Sequence, residues 1–116
     1  MKPAVCVHGD PRLEELGQWW TADRFDMAIR LVIAHRTKLC MDSTVERLAP
    51  AMAADAWAVN RYRTGERSPT RKSLYFIDKF LSQELGALWM KQVDHELEEM
   101  GRSQVRAPLR SAEGVF

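Results

Sequence analysis

Between Ser43 and Pro69, helix starts and stops follow one another so closely that only short helices joined by tight turns fit. Ser43, with Glu46 three residues on, forms a capping box in which each side chain satisfies the other residue's backbone N–H. A helix starting there has an apolar face of Val45, Leu48, Ala49 and Met52. Pro50 removes an interior backbone donor, so this helix is expected to be short or kinked. Asp55 is the next capping residue, and Gly65 tolerates the left-handed conformation that ends a helix, which predicts a second short helix over 56–64. A loop containing Pro69 follows. Only Ala53 and Ala54 separate the two helices, which is the sequence form of a tight helix-turn-helix.

The flanks are helical as well. Asp10 and Pro11 make a helix start, followed by an apolar stripe of Leu13, Leu16, Trp19 and Trp20. Thr21 caps a second helix carrying Phe25, Ile29, Val32 and Ile33 at three- and four-residue steps, fading over 35–38. From Arg71 a long pattern runs to about Met100 through Leu74, Ile77, Leu81, Leu85, Leu88, Val93 and Leu97, with Gly86 a point where it can split. Gly101, Pro108 and Gly114 interrupt the remaining residues, predicting a flexible basic tail over 101–116. No segment shows the alternation of a strand, so the fold class is all-α. A chain of 116 residues fits one domain with appendages: an arm over 1–9, a body over 10–83, a C-terminal helix over 84–100 and the tail.

Charge is informative only locally. The net value of +1 gives no global sign of a nucleic-acid partner, but 55–83 carries six basic and three acidic residues. Residues 84–100 carry five acids and one lysine, so that half is repelled by phosphates. Cys6 and Cys40 stand far apart, and His8, His35 and His95 join no cysteine or carboxylate at metal-ligand spacing. No constellation suggests an enzyme, a metal or a cofactor. The apolar run Ala4 to Val7 is too short for a signal peptide core and no stretch reaches membrane-spanning length, so a reduced, cytoplasmic, membrane-free setting is expected.

The run Trp57-Ala58-Val59-Asn60-Arg61-Tyr62-Arg63-Thr64-Gly65-Glu66-Arg67-Ser68-Pro69 resembles the recognition helix and following loop of the Cro/phage-repressor-type, lambda-repressor-like helix-turn-helix family. Leu48 and Ala49 match its helix-two core pair, Ala53 its turn, Asp55 its cap, and Val59 and Tyr62 its inward positions, so the likeness spans roughly Phe25 to Leu81. It implies a helix-turn-helix bundle, here with an extra N-terminal helix and a long C-terminal helix. It also implies that helix 56–64 enters the major groove of double-stranded DNA while helix two and the later loop grip phosphates. By that likeness Asn60, Arg61 and Arg63 face DNA, and Arg67, Thr70, Arg71 and Lys72 form a backbone clamp. Val45 stands where the family often has a phosphate-bonding glutamine, with Thr44 the nearest polar substitute. The leading recognition positions are Ala56, Trp57 and Ala58, which offer few hydrogen bonds, so base reading leans on Asn60, Arg61 and DNA shape.

The expected function is a sequence-specific transcriptional regulator, acting as a homodimer on a palindromic operator. Leu85, Leu88, Trp89, Val93 and Leu97 are the expected dimer contact, and the same helix offers a surface to another protein. Trp57 is expected to pack beneath the N-terminal helix with Trp19 and Trp20 rather than to stack on DNA or touch a base methyl. The alternative from another class is an interaction adaptor or antitoxin that keeps the scaffold and presents Ala56, Trp57 and Ala58 to a protein.

Overall fold

A computed structural model describes residues 11–41 and 44–112, with side chains to residue 101. The expected arm over 1–9, the cap at Asp10 and the capping residue Ser43 lie outside the described residues. Six α-helices and one 3-10 turn account for the rest: α1 Pro11–Trp19, α2 Ala22–Lys38, α3 Val45–Leu48, the 3-10 turn η1 Ala49–Met52, α4 Ala56–Thr64, α5 Arg71–Leu85 and α6 Trp89–Ala112. The fold is all-α, with no strand among the described residues. None of the described helices is long and apolar enough to cross a membrane.

Local chemistry sets the boundaries. Thr21 opens α2 by accepting a hydrogen bond from the backbone N–H of Arg24, and Thr70 opens α5 in the same way from Ser73. Thr44 takes the N-cap position of α3, and Pro50 confines α-geometry to the four residues before η1. η1 stops at Ala53, whose φ of 56° is left-handed. Ala53 N–H donates to the Pro50 carbonyl and Ala54 N–H reaches back to the Ala49 carbonyl at 3.1 Å, the bonding of a Schellman stop. Asp55 then accepts from the Ala58 N–H at 2.8 Å and opens α4, so the whole change of direction takes two residues.

One core joins the elements, and α2 sits at its centre, packed against α4, α5 and α6. Phe25, Ile29 and Val32 of α2 are fully buried, as are Leu16 of α1, Leu81 of α5, and Trp89 and Val93 of α6. Gly86 separates α5 from α6, as the sequence allowed, at φ 99° and ψ 169°, a region open in practice to glycine alone.

The last helix departs from expectation in two ways. It continues through Gly101 to Ala112, where a non-helical tail was predicted. Trp89 and Val93, assigned to a dimer contact, have no exposed surface. Trp89 meets Trp19 edge-on at 5.3 Å and donates its indole N–H to Asp78 at 2.9 Å. Turning either side chain out toward a partner would forfeit about 1.5–3 kcal/mol of burial apiece, so both belong to the single chain's core. Leu85 and Leu97 are half-buried against that core, which leaves Leu88 as the exposed member of the five.

Candidate functional site

The fourth helix has one face in the core and one in solvent. Ala58, Val59 and Tyr62 point inward, so Ala58, expected among the leading recognition positions, belongs to the buried face. Tyr62 meets Phe25 edge-on at 6.1 Å, and Phe25 stacks on Trp20 at 4.8 Å, so aromatic packing anchors α4 to α2. The opposite face carries Trp57, Asn60, Arg61 and Thr64, at the i, i+3, i+4, i+7 spacing that makes one continuous stripe. Ala56 is half-buried at its head.

Trp57 is 56% exposed and does not join Trp19 and Trp20, which overturns the expectation that it packs beneath α1. The cause is register: with Val59 and Tyr62 inward, position 57 lies on the outer side of the helix. Its ring is occupied by cations. The Arg61 guanidinium lies 4.7 Å from the ring centroid and that of Arg67 lies 5.6 Å away. Gly65, left-handed at φ 85°, turns the chain so that the Arg67 N–H donates to the Arg61 carbonyl at 3.3 Å, and this brings the second arginine back to the tryptophan. The same loop delivers Glu66, whose carboxylate accepts from Arg61 at 2.6 Å.

The other predicted contacts are divided. Arg63 points away from the stripe and donates to Asp26 of α2 at 2.7 Å, with its side chain mostly buried. Arg71 is held by Glu14 of α1. Arg63 is therefore a largely buried strut between helices rather than a DNA-facing side chain, while Arg71 sits in an exposed ion pair between α1 and α5. The Thr70 hydroxyl caps α5 and bonds Ser73. Lys72 is exposed beside it, as is Thr44 at the head of α3. Because Arg63 and Arg71 pair with acids from other segments, and Asp78 with Arg12, the excess of three positive charges over 55–83 falls to two.

The structure thus gathers Trp57, Asn60, Arg61 and Arg67 on one face, with Lys72 exposed at the start of α5. Sequence reasoning missed two features of it: the stacking of two arginines on Trp57, and Glu66 as the internal counter-charge. The positions were visible in sequence, since Glu66 follows the helix-ending Gly65 directly, but the fold-back of the loop was not. Compared with known proteins, the chain matches no family model, no curated protein and no solved structure.

Proposed function

We propose that this protein is a DNA-binding regulator that lays α4 in the major groove of double-stranded DNA. The observation that carries this reading is the outward stripe of Trp57, Asn60, Arg61 and Thr64 on a short capped helix, bracketed by Arg67. A nine-residue helix fits that groove, asparagine and arginine are the side chains that pair with adenine and guanine edges, and Arg67 and Lys72 suit flanking phosphates. The two-residue turn between η1 and α4 and the resemblance to lambda-repressor-like proteins support the same docking.

The protein acts as a homodimer in this proposal, on a palindromic site. With Trp89 and Val93 committed to the core, the contact moves to the shallow groove of Leu31, Leu88, Lys91, Gln92, His95 and Glu96 between α2 and α6. That groove holds a cation and an anion beside exposed Leu88, the self-complementary chemistry of a two-fold contact.

A titration of random-sequence duplex DNA over a range of salt concentrations tests the docking. Arg67→Ala and Lys72→Ala should each weaken binding and flatten the salt dependence by about one unit of slope while leaving the fold intact. Arg63→Ala should instead lower stability, because it removes the strut from α4 to Asp26, which then keeps only Arg30 of its own helix. Wild-type binding that ignores salt would sink the model. One observation favours a second reading, in which the scaffold serves as an adaptor: the exposed Trp57 with Ala56 beside it is also an apolar contact for a protein. That reading is supported if no duplex is bound at any salt concentration.

A further inference from the structure

We infer that the α4 face reads the C5-methyl group of a pyrimidine next to a guanine in duplex DNA, with Trp57 supplying the apolar contact and Arg61 the guanine contact. This rests on the major-groove docking proposed above. The leading turn of α4 places one large apolar ring, more than half exposed, where a base reader would stand, and its flanking positions are alanines. Among the base edges lining the major groove, donors and acceptors predominate and the apolar feature is the thymine methyl, or the same methyl on 5-methylcytosine. An indole presented to that groove is therefore matched by a methyl and by little else.

Arg61 completes the pair. Its guanidinium lies over the Trp57 ring, 4.7 Å from the centroid, so the ring holds it on this face before any ligand arrives. Its partner, Glu66, is 57% exposed, and a surface ion pair of this kind is readily exchanged. Leaving Glu66 for the O6 and N7 of guanine trades one acceptor for two, and the stacked geometry puts the methyl contact on the neighbouring base. Arg67, also over the ring, is then available to a phosphate. Two guanidinium groups already over the indole make it a poor bare platform for an unpaired base, so duplex DNA is favoured over single strands.

The test is a selection of bound duplexes from a random-sequence library with the full chain, followed by resynthesis of the enriched duplex with deoxyuridine for thymidine, which removes only the C5-methyl groups. The expected result is an enriched step of thymine beside guanine and a loss of about fourfold in affinity for each contacted methyl removed. Trp57→Ala, an exposed change that spares the core, should bind thymine and uracil duplexes equally, and Trp57→Phe should keep part of the preference. Salt-sensitive binding by the wild type that is indifferent to the methyl overturns this inference and leaves the docking standing. Tighter binding to a single strand of equal length overturns it in favour of base stacking. If no duplex is bound at all, both this inference and the docking fail.

Discussion

Among the described residues, two other than glycine hold left-handed backbone, Cys40 at φ 58° and Ala53 at φ 56°, and both end a helical segment with the same pair of reaching-back hydrogen bonds. At Ala53 this conformation makes the turn that aims α4. An L-residue there costs about 1–2 kcal/mol relative to right-handed backbone, while glycine is freer in the unfolded chain by about 0.4–1 kcal/mol. Ala53→Gly should therefore stabilise the protein, by up to about 1 kcal/mol, as a raised midpoint in urea unfolding. Gly86→Ala is the converse case. A Cβ there meets nothing within 4 Å, yet the backbone angles are those of glycine, so a loss of about 1–3 kcal/mol is expected with no clash to explain it. A neutral result at Gly86 would mean that the α5–α6 junction relaxes freely. Residues of this sort mark how far sequence alone carries. Caps at Thr21 and Asp55 and the stop at Gly65 act on neighbours three or four positions away, so they are legible, whereas Thr70, read as part of a phosphate clamp, proves to be the cap of α5. Arg63 and Arg71 find acids 37 and 57 residues distant, which no local pattern encodes, and so they read in sequence as DNA contacts, Arg63 on the recognition helix and Arg71 in the clamp.

Elements are held together by a few shared polar groups. Asp78 of α5 accepts from the Arg12 guanidinium of α1 at 3.0 Å, from the Trp89 indole of α6 at 2.9 Å and from Ser82 one turn on. Its side chain is largely buried, so its removal leaves the Trp89 indole N–H without its acceptor and takes the carboxylate from Arg12, which keeps the Ala87 carbonyl. Asp78→Ala should cost about 3 kcal/mol and lower the thermal midpoint, whereas exchange of the solvent-facing Glu66 for Gln should not move it. If Asp78→Ala unfolds like the wild type, the three helices are joined by apolar packing alone. The apolar stripe of α6 shows why its role was misassigned. Periodicity identifies the face of a helix that must be covered, but the cover is the same whether it comes from α1 and α2 or from a second copy. The all-α class and the break at Gly86 were legible because they depend on spacing and turn chemistry. Whether Trp89 and Val93 look inward depends on the path of the whole chain.

At the scale of the molecule, the paired arginines would make this a weakly charged binder in the proposed docking. With Arg61, Arg67 and Lys72 as the cations at the proposed face, a single chain neutralises about two or three phosphates, and log K against log salt should fall with a slope of about −2 to −3, doubling for a dimer. Sedimentation at the same salt concentrations gives the oligomeric state independently, and Leu88→Asp should halve the slope if the α2–α6 groove joins two copies. An unchanged slope would remove that groove from the assembly. The buried position of Trp89 has one more consequence, in the order of synthesis. α4 leaves the ribosome some twenty-five residues before the ring that closes the core beneath α1, so for a second or more the helix proposed to face DNA exists on an open, apolar body. A product cut short ahead of position 89 should thus be open to proteolysis through its own uncovered interior, which would leave the helix proposed to face DNA only on chains translated past it.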